Sequence, residues 1–308
     1  MTETPKKFLI LAADDLGGQY ANNAGILDAA QNGALTSASI MANGAAFADA
    51  VERVLPACPR LGVGAHLTLN EGNCVAPPAQ IPALADAGGH FRFIEARGFV
   101  RLALSGFNGA WREQAAIEMR AQIEKVKTGV EKIGRALDHL DGHMHCHAIP
   151  WLWQLTLKLA AEYAIPFVRL PREPFRYAPL RAHLPRPLNF AHYANLQTYA
   201  WRDRRAGRRS PVRTNDYFYG LLHSGAMTET VAVELLRAHR KNAGITEMAF
   251  HPCVATAETY YLEPYVKDLC NGENRAAELS ALKSPRLRAV IEQCGYRLTN
   301  YRERAIKN

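Results

Sequence analysis

Phe8-Leu9-Ile10-Leu11-Ala12-Ala13-Asp14-Asp15 is the stretch on which the fold turns. Six apolar residues in a row, without alternation, describe a strand covered on both faces as in a parallel sheet. The two carboxylates mark its abrupt carboxyl end. Downstream, Ala24, Ile26, Leu27 and Ala30 fall at approximately helical spacing between Tyr20 and Gln31, and Asn32-Gly33 supplies a stop. Strand, loop and helix in that order open an alternating α/β chain.

The unit recurs further along. Leu35 to Met41 leads to a helix from Ala45 to Leu55, and Gly62 to Leu67 leads to a long excursion. Leu137 to Asp141 leads to a helix from Pro150 to Tyr163, and Phe167 to Leu170 and Glu247 to Phe250 read as later strands. Helices are expected at about Trp111–Lys132, Thr228–Asn242 and Glu278–Cys294, the last followed by a short segment at Tyr296–Thr299. Six or seven such units predict an open or closed barrel and not a sandwich. Pro171 to Arg213 breaks the rhythm, with six prolines, ten arginines and no clean periodicity. It reads as an irregular insertion carried on the barrel, so residues 1–308 form one domain with an arm at about 171–213.

Composition narrows the class. Hydrophobic residues make up 48% of the 308, which excludes disorder. The most apolar-looking stretch, Ala148 to Val168, is interrupted by Gln154, Lys158 and Glu162 and is no membrane span. Lys6-Lys7 ahead of Phe8 to Ala13 mimics a secretion signal, but the apolar run is short and no small-residue cleavage site follows, so a cytoplasmic location is expected. The six cysteines are scattered without a Cys-x-x-Cys pair, as expected of reduced thiols. Net charge is +8, and the arm carries all of it: ten arginines there face only Glu173 and Asp203, while the rest of the chain has 27 basic and 27 acidic residues.

Chemistry in parallel α/β folds collects where strands end. Here the first strand ends in Asp14-Asp15, the third in His66, the fourth runs into Asp141-Gly142-His143-Met144-His145-Cys146-His147, and a late strand ends in His251-Pro252. Any one of these is unremarkable as a cap or a structural imidazole. Together, a carboxylate and two imidazoles from separate strands suit a divalent ion with positions left open for water. If residues 143–147 stay extended, His143, His145 and His147 share a side; if they coil into a helix, His143 and His147 share a face. One of the two adjacent aspartates would ligate the ion and the other take a proton from water, with His251 as acid for the leaving group.

These residues, with Asn23-Ala24-Gly25-Ile26, Gly33-Ala34-Leu35-Thr36-Ser37, Gly64-Ala65-His66-Leu67 and Pro150, occur in the order and approximate spacing of the YdjC-like carbohydrate deacetylases. The resemblance covers Phe8 to about Val168 and resumes from about Asp216. That family includes chitooligosaccharide deacetylases and hopanoid-biosynthesis-associated deacetylases, and the segment 62–90, with Asn70-Glu71-Gly72, is closer to the latter. The resemblance implies a distorted (β/α) barrel, complete or incomplete, holding one divalent ion, Mg²⁺ or Zn²⁺, on Asp15, His66 and His143. Asp14 is then the general base, His251 the acid, and Asn23, His145 and His147 contact substrate. The implied reaction is hydrolysis of the N-acetyl group of an amino sugar or glycolipid by metal-activated water. Leu16 stands where the family usually has Phe.

Alternatives of other classes are a hydrolase of a different acyl group or lipid-linked substrate, and a binding protein on a barrel scaffold. Trp201-Arg202-Asp203-Arg204-Arg205-Ala206-Gly207-Arg208-Arg209 has the charge for nucleic acid, with Tyr199, Trp201 and Tyr217 as stacking groups. No recognised module accompanies it, so sequence-specific nucleic acid is not expected. A phosphorylated or membrane-associated substrate, or peripheral contact with an anionic membrane through 171–213, is the expected reason for the charge, and the arm's aromatic residues would also suit an oligomer interface.

Overall fold

The computed structural model describes residues 6–92, 95–175, 178–181, 183–254 and 272–306. Residues 176, 177 and 182 of the expected insertion lie outside the described residues. The strands are β1 (Lys7–Leu16), β2 (Ser37–Ile40), β3 (Gly62–Leu67), β4 (His139–Gly142), β5 (Phe167–Val168), β6 (Tyr217–Tyr219), β7 (Gly244–Phe250) and β8 (Arg297–Leu298). They pair in parallel in the order β5-β4-β3-β2-β1-β7-β6, and β8 pairs with β1. The sheet curls into a half-barrel. Its two edge strands are linked by the chain beside them: Val168 N donates to Arg213 O at 2.9 Å, and the Asn215 amide bonds both N and O of Leu170, at 2.7 and 2.9 Å.

The helices are α1 (Tyr20–Asn32), α2 (47–57, wound as a π-helix over Ala50–Val54), α3 (Glu95–Ser105), α4 (Gly109–Glu131), α5 (Pro150–Glu162), α6 (Pro187–Gly207), α7 (Glu229–Ala238), α8 (Gly272–Lys283), α9 (Pro285–Gln293) and α10 (Tyr301–Ile306). The single helix expected at Glu278–Cys294 is two, because Pro285 lacks the N–H needed to continue α8 and opens α9 behind the Ser284 cap.

β1 lies in the middle of the sheet and divides its residues between two cores. Leu9, Leu11 and Ala13 join the large core shared with the helices, while Ile10 and Ala12 pack inside the curl with Phe167, Ile245 and Tyr301. Full burial of Leu9, Ile10 and Leu11 is worth roughly 1.5–3 kcal/mol each relative to exposure. Continuing the inner register past Ala12 puts Asp14 at the carboxyl end of the curl.

The expectation of an irregular arm over 171–213 is corrected by α6, a 21-residue helix. Five of the prolines precede its second residue or coincide with its first turn, where no intrahelical N–H is lost, and the sixth, Pro211, follows its end. Its buried side consists of Asn189, Leu196, Ala200, Asp203 and Gly207, spaced for a helix but largely not apolar. A hydrophobic periodicity is therefore absent although a helical one exists.

Asp203 is 2% exposed and its Oδ2 has no hydrogen-bond partner among the described residues. Burial, opposed by the charge of Arg202, pushes its pKa from 3.8 up to about 8. The group is thus protonated in the fold; its contribution to stability is complete below the unfolded pKa and is lost as pH rises through the folded one. Asp203→Asn is expected to melt several degrees above the parent at about pH 9 and within a degree or two of it at about pH 4, by thermal denaturation. An equal offset at both pH values would contradict the buried neutral carboxyl.

Candidate functional site

Both carboxylates of β1 face one cleft. On a regular strand neighbours point to opposite sides. Here the β1/β2 register shifts between Ala13 and Leu16, and Asp15 has a left-handed φ of 64°. The resulting bulge turns Asp15 back toward the side occupied by Asp14, and both line the cleft. A non-glycine residue held there costs on the order of 1 kcal/mol or more.

His66, in β3, and His143, just after β4, meet Asp15. His66 Nε2 is 3.5 Å and His143 Nδ1 3.2 Å from the same oxygen, Asp15 Oδ1. The far nitrogen of each ring is backed by an acid: His66 Nδ1 lies 2.8 Å from Asp141 Oδ1, and His143 Nε2 lies 2.5 Å from Glu71 Oε2. Ligand atoms of Asp15, His66 and His143 all fall within 4.8 Å of one another. This donor set fits a divalent ion, since backing carboxylates fix the ring orientation and raise the basicity of ligating histidines. A second group of Asp14, His66 and Asp141 has similar spacing, but the Arg169 guanidinium already sits against both of its carboxylates.

The electrostatics agree with a site that favours positive charge. Burial pushes the Asp15 carboxyl up, but the His143 hydrogen bond and the charges of His143, Arg275 and His66 hold it well below the usual carboxylate range. Burial also disfavours protonated His66 and His143, yet Asp141 and Asp14 raise the first, and Glu71 and Asp15 raise the second far more.

Asp14 is gripped by Arg169 through Nη1 to Oδ2 at 2.8 Å and Nη2 to Oδ1 at 2.7 Å. Burial raises its pKa, but Arg169 and His66 overcome this and bring it to about 2. His251 Nε2 is 4.0 Å from Asp14 Oδ2, and its Nδ1 is 3.7 Å from Glu278, which also accepts the His251 N–H at 2.6 Å. Gly25 allows this arrangement: a Cβ there would come within 2.7 Å of the Cys253 backbone, so α1 can back directly onto the chain that carries His251.

Residues 143–147 are neither extended nor a regular α-helix. Met144 and His145 have φ of 49° and 55° inside a tight 3-10 segment. His143 and His145 line the cleft, but His147 turns away and donates from Nε2 to Arg169 O at 2.9 Å. Asn23 likewise does not reach the cleft: its Oδ1 accepts from Gly17 N at 2.7 Å, and its Nδ2 donates to Ala46 O and to Asp49 at 3.0 and 2.7 Å. Of the three residues expected at the substrate, only His145 lines the cleft; His147 and Asn23 do not. Both hold backbone, His147 beside Arg169 and Asn23 around the turn after β1.

One wall of the cleft comes from α3 and α6, through Phe99, Val100, Leu188, Ala191, His192 and Asn195. The Phe99 and His192 rings meet edge to face with centroids 4.9 Å apart. Arg275 completes the lining and lies 3.6 Å from Asp15 Oδ2.

Residues 8–293 match the family of YdjC-like proteins, a span that includes the arm. The chain belongs to the YdjC-like family. A protein of Geobacillus stearothermophilus named carbohydrate deacetylase is 30% identical over 96% of this chain and 98% of its own length. A carbohydrate deacetylase of Brevibacillus brevis is 39% identical, over 53% of this chain and 59% of that protein. Among solved structures, one from Enterococcus faecalis, described as a candidate cellobiose-phosphate cleavage protein, superimposes with a TM-score of 0.71 at 25% identity, covering 97% of this chain and 98% of that one.

In this YdjC-like chain, Arg169, Glu71, Asp141, Glu278 and His192 were not assigned roles from the sequence. Asp141 and Glu71 stood inside motifs already singled out, Asp141-Gly142-His143 and Asn70-Glu71-Gly72. A charge within the apolar run Phe167-Val168-Arg169-Leu170 was the available sign of a buried arginine. Because Glu71 orients His143, Glu71→Gln is expected to weaken binding of a divalent ion about 10–100-fold by titration calorimetry, with the melting temperature little changed. Unchanged affinity would remove Glu71 from the support of the ion.

Proposed function

We propose that this chain is a divalent-metal-dependent hydrolase that removes the N-acetyl group from an amino sugar, releasing acetate and a free amine. The observation that carries this reading is the convergence of Asp15, His66 and His143 at the floor of a cleft in which Asp14 and His251 stand side by side. The names of the full-length relatives support the chemical class: carbohydrate deacetylases hydrolyse amide C–N bonds.

A divalent ion bound there, Zn²⁺ being best suited to two imidazoles and a carboxylate, would polarise the acyl carbonyl and acidify a water molecule. Asp14, fixed in one orientation by Arg169, accepts a hydrogen bond from the attacking water and then its proton. Its lowered pKa keeps Asp14 ionised and therefore open to accept. His251, 4.0 Å away and oriented by Glu278, is the group placed to deliver a proton to the leaving nitrogen. Arg275 and the neutral His145, whose ring burial, Arg169 and His147 keep unprotonated, are positioned to hold polar groups of the sugar.

The apolar wall favours a sugar joined to a lipid or other apolar group. Phe99, Val100, Leu188 and Leu221 bring apolar side chains to the wall that also carries His192 and Asn195, a surface suited to methylene groups beside a polar one.

Purified protein is expected to contain about one divalent ion per chain, and Asp15→Ala and His143→Ala to lose both the ion and acetate release. Asp14→Asn should retain the ion while kcat falls on the order of 10²–10⁴-fold. Retention of a stoichiometric ion by both ligand variants would show the ligand set to be wrong, and absence of acetate release from every acetylated amino sugar tested would sink the reaction class. A long-chain alkyl glycoside of N-acetylglucosamine should exceed the free sugar at least about tenfold in kcat/KM, mainly through KM. Equal values would leave the apolar wall without a role in recognition.

A further inference from the structure

We propose that the exposed side of α6, with the neighbouring tips of α3 and the chain before α6, is a docking surface for an anionic phospholipid bilayer, so that the mouth of the cleft opens at the lipid headgroups. Ala191, Ala194, Thr198, Trp201, Arg205 and Arg208 recur every three or four residues and form one exposed stripe along α6. Its far side, from Leu196 to Gly207, is buried against the barrel. The N-terminal part of the helix lines the cleft through Leu188, Ala191 and His192, and the basic part continues from it. The helix therefore leads from the site to the charge.

Two independent features select a bilayer. The first is unopposed positive charge. Asp203, the only acid of α6, faces inward and burial keeps it neutral. Among the described residues no acid pairs with Arg202, Arg204, Arg205, Arg208 or Arg209, and the Arg205 guanidinium rests over the Trp201 ring at 4.5 Å. The second is apolar exposure on α6 and on the neighbouring segments, α3 and the chain leading into α6, whose Val100 and Leu188 share the cleft. Among the described residues, seven of the nine exposed large hydrophobic side chains fall within 100–107 and 175–201, including Phe107 at 95%, Leu184 at 75% and Trp201 at 64%. Interfacial membrane binding needs this combination: apolar side chains that enter the headgroup boundary and cations that meet anionic lipid. Nucleic acid would use the arginines and Trp201 but would leave Leu104, Phe107 and Leu184 with nothing to cover them.

The inference does not depend on the reaction, because binding is measured without substrate. The intact protein is sedimented with vesicles of phosphatidylcholine alone and of phosphatidylcholine mixed with phosphatidylglycerol, at low and at high salt. Partitioning is expected onto the phosphatidylglycerol vesicles only, and to fall steeply with salt. Each arginine neutralised in Arg205→Gln and Arg208→Gln should reduce it roughly fivefold, and Trp201→Ser should reduce it further. These variants should keep the parent's melting temperature and its hydrolysis of a small water-soluble substrate. Equal partitioning onto neutral vesicles, no partitioning at low salt, or full partitioning of the Arg205→Gln/Arg208→Gln protein would each overturn the proposal. So would retention of single-stranded DNA by a protein that ignores both kinds of vesicle.

Discussion

A fully buried guanidinium ties this molecule together. Arg169 meets Asp14 of β1, Asp141 of β4 and Glu247 of β7, with contacts of 2.7–3.0 Å to each. A buried charge left unpaired costs several kcal/mol, so the arginine and its acids are retained only as a set. Glu247 in turn accepts the Tyr301 hydroxyl at 2.6 Å, which extends the set to α10 below the curl. Three strands, helix α10 beneath them and the Asp14 carboxylate beside the candidate metal site therefore share a single charge.

That arrangement layers the interior by polarity. Phe8, Ile10, Ala12, Phe167, Ile245 and Tyr301 fill its lower part, the Arg169 set lies above, and Asp15, His66 and His143 open to the cleft. The carboxylates of Asp14, Asp15 and Asp141 are all held below their usual pKa range. Their partners are two arginines and imidazoles that themselves take up protons readily, so the layer has capacity for a further cation. The acids that raise the two imidazoles thus include Asp14, Asp141 and Glu71 around them as well as Asp15 between them.

The sequence announces some of this better than the rest. Phe8 to Ala13 reads as a parallel strand because six consecutive apolar residues without alternation suit burial on both faces, and the candidate ligands are legible because they recur at strand ends. The bulge at Asp15 is not, since aspartate follows many strands without one. Helix α6 is hidden because its inner side is built of Asn189, Ala200, Asp203 and Gly207, residues chosen by fit and not by hydrophobicity. His147 and Asn23 looked functional for the same reason that they matter structurally: polar groups near a site are also needed to hold its backbone. The Glu71 and Glu278 contacts join residues 72 and 27 positions apart in the chain, distances at which no local pattern can speak.

The position of β1 separates the floor of the cleft from its wall in their dynamics. β1 is flanked by β7 along one side and by β8 and β2 along the other, so its amides open to solvent only when the sheet as a whole comes apart. The wall is attached differently: α6 follows the two-residue edge strand β5, and α3 rises from the excursion after β3. The carboxylates of the proposed reaction thus sit in the part of the sheet expected to exchange last, while the helices of the cleft wall hang from its edge and from an excursion, so an opening of the cleft need not loosen the residues at its base.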